Sequence, residues 1–380
     1  MKLPGCNSLF RPIELQKITL ALAVGLYVLF SLVLFFAVID PSLTDETQNH
    51  IAADSSRYMY FADAIREGRN EPWVLLAMSS FPNTYWVPVL LAILIKSTFL
   101  IVILNYSIFF CAIWLFTRAV NVRIGILLAL LLVNATTLIS LLSVNKEIID
   151  LLATALFCYW LSRRKKIALV LALLIAILNR YEVFLAMMLF MFLRSAVNPL
   201  RRYRLGSLIV VCIVISILFP VIASTPTIAI RMDEAVATAQ SGGILISLDN
   251  LQLHYLFFVA AIPKIADNLF SALVDVGRWS TYSMEDAANT YILFLNNLAT
   301  LYVLFVLAWM RRLNVSRDWL YLGATIAIIM SISPVVQPRY FYSCYVLFCI
   351  EAARKRELGE KFCRLMIGRQ RPNVTLEATP

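Results

Sequence analysis

Charge is the scarcest commodity in this chain. Only 15% of its 380 residues are Asp, Glu, Lys or Arg, while 61% are hydrophobic and the mean hydropathy is +0.80. So little charge cannot cover a water-soluble protein of this length, which excludes a soluble globular fold. The strict apolar–polar alternation of a membrane β-barrel is also missing, because the apolar stretches run continuously. Histidine is down to His50 and His254, in separate loops, which gives no metal constellation, and no metal or other cofactor is expected. The seven cysteines (Cys6, Cys111, Cys158, Cys212, Cys344, Cys349 and Cys363) include no C-x-x-C pair. They fall in apolar spans or in segments placed in the cytoplasm, so neither disulfides nor zinc are indicated. No short apolar core with a cleavage site follows the basic stretch Met1–Lys17. That stretch reads as the cytoplasmic lead of a retained first span. No internal repeat is evident.

What remains is an all-α polytopic membrane protein. At roughly 20 apolar residues per span, the candidates are Ile18–Ile39, Phe99–Phe116, Ile124–Leu142, Ile148–Leu161, Ile167–Leu178, Val183–Leu193, Leu205–Ser224, Tyr291–Met310, Trp319–Ile332 and Phe341–Ala353, about ten transmembrane helices. Most of the net charge of +10 sits in every second loop. The clusters are Arg118 with Arg123; Arg163, Arg164, Lys165 and Lys166; Arg194 with Arg201, Arg202 and Arg204; Arg311, Arg312 and Arg317; and Arg354, Lys355 and Arg356. This is a positive-inside pattern and not a nucleic-acid footprint. It places both termini in the cytoplasm. The chain then divides into a lead (1–17), a first module (18–200) carrying an outer loop at 40–98, a second module (201–353) carrying an outer loop at 225–290, and a short cytoplasmic tail (354–380).

The first outer loop contains the apolar pieces Trp73–Met78 and Tyr85–Ile95, broken by Pro82 and Pro88. A span there would invert the charge pattern downstream, so both read as interfacial helices. In the second outer loop, the run Leu253–Ile262 ends at Pro263-Lys264 and is too short to cross. The same outer loops hold the stretch Asp54–Gly68. Its Asp54, Tyr58, Phe61 and Ile65 recur at helical spacing, giving an aromatic stripe with a carboxylate at its start. Ser55 and Ser56 beside Asp54 mark a helix N-terminus, where negative charge is favoured. Asp54 is therefore either the cap of an interfacial helix or a reactive carboxylate.

Lys and Arg that survive in outer loops are informative. Four lie in compact motifs at predicted span ends: Asn145-Lys146-Glu147, Asn179-Arg180-Tyr181-Glu182, Pro263-Lys264 and Pro338-Arg339-Tyr340. Snorkelling to lipid phosphate explains many such residues one at a time, and Lys146–Glu147 or Arg180–Glu182 read equally as local ion pairs. Taken together with an aspartate on the same side, they suit a substrate with a phosphate at headgroup depth and a long apolar tail between helices. Arginine offers phosphate a planar, permanently charged fork, and lysine a point charge. Stabilising a departing phosphate is electrostatic catalysis, while a carboxylate takes a proton from the incoming hydroxyl.

The pattern D-x-x-R-Y in a first outer loop (Asp54, Arg57, Tyr58), followed by Ala62 on the same helix, resembles the membrane glycosyltransferases of the GT-C superfamily. The bacterial aminoarabinose transferases and the protein O-mannosyltransferases are members of that superfamily that it resembles. The interfacial helix at Tyr85–Ile95, the Lys146-Glu147 pair opening a middle span and the late Arg339-Tyr340 pair are similar features. The resemblance covers roughly residues 18–200 and the late Arg-Tyr. It implies a multi-pass enzyme of the bacterial inner membrane, with its active site on the outer face. The enzyme would move a sugar, with inversion, from a polyprenyl-linked donor to a glycan or lipid-linked acceptor, among membrane lipids. Asp54 would then be the base, and Arg57, Lys146, Arg180, Lys264 and Arg339 the pool of phosphate ligands. Tyr58, Glu147, Glu182 and Tyr340 would support them. Asp45 and Glu46 compete with Asp54 for the role of base, and some relatives use a divalent ion. A polymerase of lipid-linked repeat units, as for O-antigen, is the nearest alternative. A lipid or glycan transporter is the alternative of another class, disfavoured by the lack of charge within the clear spans.

Overall fold

The computed structural model describes residues 12–40, 53–69, 86–223, 244–274, 284–333 and 338–355. Over these residues the chain is helical, with a single isolated β-bridge between Val122 and Arg354. The helices are α1 (Pro12–Leu34, continued by a π-turn to Ile39), α2 (Ala53–Arg66), α3 (Trp86–Leu94), α4 (Thr98–Ala119), α5 (Ile124–Leu132), α6 (Ala135–Leu142), α7 (Glu147–Arg163), α8 (Lys166–Asn179) and α9 (Tyr181–Arg194). They continue as α10 (Arg204–Ala223), α11 (Ile244–Leu253), α12 (Phe257–Val274), α13 (Met284–Trp309), α14 (Asp318–Met330), a 3-10 turn (Pro338–Phe341) and α15 (Tyr342–Ala353).

Among the described residues, four stretches are long and apolar enough to cross a membrane: Thr19–Ile39, Thr98–Ala119, Arg204–Val221 and Tyr291–Trp309. The bent pair α5–α6 makes a fifth if it is one span. Several of the other expected spans form shorter helices. At 1.5 Å per residue, α8 is about 21 Å long and α15 about 18 Å. Such lengths fall short of a hydrocarbon core of about 30 Å.

Two local expectations change. The stretch Ile124–Leu142 is not one straight span but two helices bent by 80°. Asn134 causes the break, since its side chain accepts from the Thr137 amide and caps α6. The exposed backbone ends are then satisfied by neighbours. Asn296 accepts from the Thr136 amide (2.8 Å), Tyr345 donates to the Leu130 carbonyl, and the Asn105 amide donates to Ser140, Leu141 and Ser143 carbonyls (3.1, 3.3 and 2.8 Å). An interrupted helix in apolar surroundings is tolerable only with such partners. Asn105→Leu, close in volume but without the donor, should therefore destabilise the fold by about 2–3 kcal/mol. Thermal unfolding in detergent checks this.

Likewise, α12 does not stop at Pro263 but runs through it. Phe257, Ala260, Ala261 and Lys264 are buried at helical spacing, while the proline ring sits on the exposed side. Burial of that stripe outweighs the one hydrogen bond that proline removes. Pro88, by contrast, lies in the first turn of α3, where its missing N–H has no intrahelical partner to lose.

Hydrogen bonds bring all five basic clusters to one end of the bundle. Arg163 donates to the Arg118 carbonyl (3.1 Å), and the Arg123 amide to the Ala353 carbonyl (2.8 Å). Arg312 donates to the Arg354 carbonyl (2.9 Å). Asp318 binds Arg194 and Arg204, and Glu351 binds Arg317. At the opposite end, Thr98 at the start of α4 donates to Asp40 at the end of α1 (2.7 Å). There α2 and α3 build a core of their own from Tyr58, Phe61, Ala62, Ala64, Val89 and Ala92, closed by Ile101 and Val144.

Candidate functional site

The site begins with the way α7 starts. Glu147 and Asp150 stand three residues apart in its first turn, so both carboxylates share one face and meet the positive end of the helix dipole. Beside them α8 gives way to α9 at a single extended residue, Arg180. The guanidinium of Arg180 reaches Glu147 (3.2 Å) and Asp150 (3.3 Å), and all three side chains are 5% exposed or less. Asn179 donates to Asp150 (2.7 Å) and to the Lys146 carbonyl (3.0 Å), tying the two helix ends together. Burial alone works against the charge of Arg180. Asp150 and Glu147 more than offset it, so the guanidinium is held above its ordinary range and stays charged.

Tyr340, from the 3-10 turn ahead of α15, lies 4.9 Å from the Arg180 guanidinium, and Arg339 stacks on the same ring at 5.8 Å. On the other side, α2 docks against the loop before α7. The Ser55 hydroxyl accepts from the Val144 amide (2.9 Å), and buried Lys146 lies over the Tyr58 ring at 5.7 Å. Segments far apart in sequence thus meet around Lys146, Glu147, Asp150 and Arg180.

Lys264 forms a second buried centre. Its ammonium, with no exposure, donates to Asp249 and Gln252 (2.7 Å each) and to the Ser333 carbonyl (3.1 Å). Gln252 in turn donates to the Ile332 carbonyl (2.8 Å). Burial is the dominant influence on both partners, lowering the Lys264 ammonium and raising the Asp249 carboxyl, with their mutual attraction opposing it.

Of the residues singled out from sequence, Tyr58, Lys146, Glu147, Arg180, Arg339 and Tyr340 come together. Lys264 holds the neighbouring centre. Glu182 opens α9 next to Arg180. Arg57 is exposed, one residue before buried Tyr58 on α2. Asp54 falls in the first turn of α2, directly before Ser55. Its side chain lies outside the described residues, as do Asp45, Glu46, His50 and the apolar piece Trp73–Met78. Three participants carried a weak signal in the sequence. Asp150 follows Glu147 at one helical turn, and Asp249 and Gln252 share a face of α11. Nothing in the sequence paired either set with cations 12 to 33 residues away. Among the described residues, no group of His, Cys, Asp and Glu is arranged to hold a metal ion.

No family model, curated protein or solved structure matches this chain.

Proposed function

We propose that the protein is an integral membrane glycosyltransferase of GT-C type. It would transfer a sugar from a polyprenyl-(di)phosphate carrier to a glycan or lipid-linked acceptor at the outer face of a bacterial inner membrane, with both termini cytoplasmic. The observation that carries this reading is the convergence of four separate segments at the bundle end away from the basic clusters: the start of α2, the loop before α7, the α8–α9 junction and the turn before α15. A carboxylate that takes the acceptor hydroxyl's proton and cations that hold the departing carrier phosphate need such a meeting point. In this proposal Asp54 is the base, the carrier's tail lies along the apolar helices, and transfer proceeds with inversion.

Charge apportions the phosphate roles. Arg180 is spent on two buried carboxylates and Lys264 on one, so neither brings surplus charge. Arg57, Lys146 and Arg339, the last half-buried on the Tyr340 ring, are the other cations proposed to attract the phosphate. Arg180 positions Tyr340 and the start of α7. The alternative within the same class is a polymerase that joins lipid-linked repeat units, as for O-antigen.

A transporter is the second reading, and the capped break between α5 and α6 favours it, because interrupted helices line many transport sites. The ionisable groups argue the other way, since they gather at helix ends and not along the middle of the apolar spans.

The test is retention of polyprenyl phosphate by the purified protein, followed by native mass spectrometry. Arg339→Ala is expected to weaken retention at least about tenfold, the order of one charge-assisted phosphate contact. Arg69→Ala, at the far end of α2 where Arg69 pairs with Glu67 (2.8 Å), should leave it unchanged. Equal behaviour of the two variants would sink the phosphate-site assignment.

A further inference from the structure

The five basic clusters are no longer alike once the helices are packed. Three are organised around acids. Arg194 and Arg204 reach Asp318 (3.1 and 2.8 Å), with Arg201 and Arg202 exposed beside them. Arg317 and Arg354 pair with fully buried Glu351, while Arg312 donates to the Glu351 carbonyl (2.9 Å). The turns α4–α5 and α7–α8 differ. Their Arg118, Arg123, Arg163, Arg164, Lys165 and Lys166 are all exposed. No Asp or Glu occurs in residues 98–146 or 151–181, and Glu147 and Asp150 lie about 25 Å away, at the other end of α7. Helix dipoles do not account for these cations either. Two helices end here and two begin, so their partial charges cancel.

The two turns form a single surface. Arg163 donates to the Arg118 carbonyl (3.1 Å) and Ser162 to the Ala119 carbonyl (2.6 Å), holding the ends of α4 and α7 side by side. One turn back, each helix carries a tryptophan beneath an arginine: Trp114 under Arg118 (5.5 Å) and Trp160 under Arg164 (5.7 Å). Trp114 is 53% exposed. An open indole, with cations just beyond it that make no ion pair among the described residues, is the layering of a membrane–water boundary. Guanidinium forks stacked on indoles are pre-set to take phosphate oxygens in pairs.

We propose that this corner of the bundle is a binding site for the headgroup of an anionic phospholipid. Its phosphate would lie between Arg118, Arg163 and Arg164, with Arg123, Lys165 and Lys166 around it. Attraction of basic residues to an anionic leaflet amounts to about fivefold in affinity per Lys or Arg near the surface. The inference is independent of the transferase reading and needs only that the apolar helices sit in a bilayer.

The test uses the full chain in detergent, with lipid retention followed by native mass spectrometry. Phosphatidylglycerol is expected to be retained at concentrations at least about tenfold below phosphatidylcholine, on the scale of two or more such residues. The double variant Arg118→Lys/Arg164→Lys keeps every charge, and with it the orientation in the membrane, but loses both stacked forks. It should weaken phosphatidylglycerol retention several-fold. Arg201→Lys/Arg202→Lys, changed at exposed arginines of another cluster, should not. Inorganic phosphate at millimolar concentration should fail to compete. Equal retention of the two lipids, or equal weakening by the two double variants, would overturn the site. Displacement by phosphate would replace it with a soluble-anion site and overturn the lipid assignment.

Discussion

Replacing Arg180 with leucine is expected to destabilise the protein by about 3–5 kcal/mol, the cost of leaving buried charge without its partner. Glu147 and Asp150 are each 2% exposed and both depend on this one guanidinium for an ion pair. Asn179 covers only one oxygen of Asp150, and Glu147 Oε2 has no hydrogen-bond partner among the described residues. Arg180→Lys should recover little, because an ammonium lacks the fork that spans two carboxylates and the plane that stacks on Tyr340. Neutralising the acids in the same chain (Arg180→Leu/Glu147→Gln/Asp150→Asn) is expected to restore most of the lost stability. The penalty belongs to uncompensated charge and not to the missing arginine itself. Thermal unfolding in detergent follows both variants. A triple variant as unstable as Arg180→Leu would show that the cluster is held by packing and not by charge. A stable triple variant also separates fold from chemistry, since it should remain inactive if the cluster positions the site.

Asp54→Asn is expected to abolish sugar transfer, by at least about a hundredfold on the usual worth of a positioned general base. The amide keeps the size of the carboxylate but cannot take a proton from the acceptor. Expression and melting temperature should stay near normal, since one negative charge fewer in the first turn of α2 costs about 0.3–1 kcal/mol. Asp45→Asn is the matched control and should transfer normally. The measurement is surface glycan, or transfer from a polyprenyl-linked donor by purified protein. Normal transfer with Asp54→Asn, at normal abundance, would remove Asp54 as the base; loss with Asp45→Asn alone would move the role there. If the unaltered protein retains polyprenyl phosphate, loses it with Arg339→Ala and yet transfers no sugar, the site binds the carrier without this chemistry, as the transporter reading requires.

Composition and charge spacing determined the class of this protein without reference to any contact. Continuous apolar runs require helices that satisfy their own backbone in lipid, and the alternation of Lys and Arg foretold that the five basic clusters would share one end. The aromatic stripe Tyr58–Phe61 was equally legible, since helical periodicity puts both on the face that packs. Only the tertiary structure decided which charges meet. Arg180 reads locally as the partner of Glu182, yet its ion pairs run to another helix, because an extended junction between α8 and α9 points it at the first turn of α7. Lys264 could not be matched to Asp249 from spacing, since a chain reversal between α11 and α12 makes that contact. The break at Asn134 also escaped periodicity, because a helix may be interrupted there only where Asn296 and Tyr345 arrive from elsewhere to satisfy the backbone at the break. Local pattern fixes faces and termini; pairing of buried charge depends on long-range packing, which no single window of sequence contains.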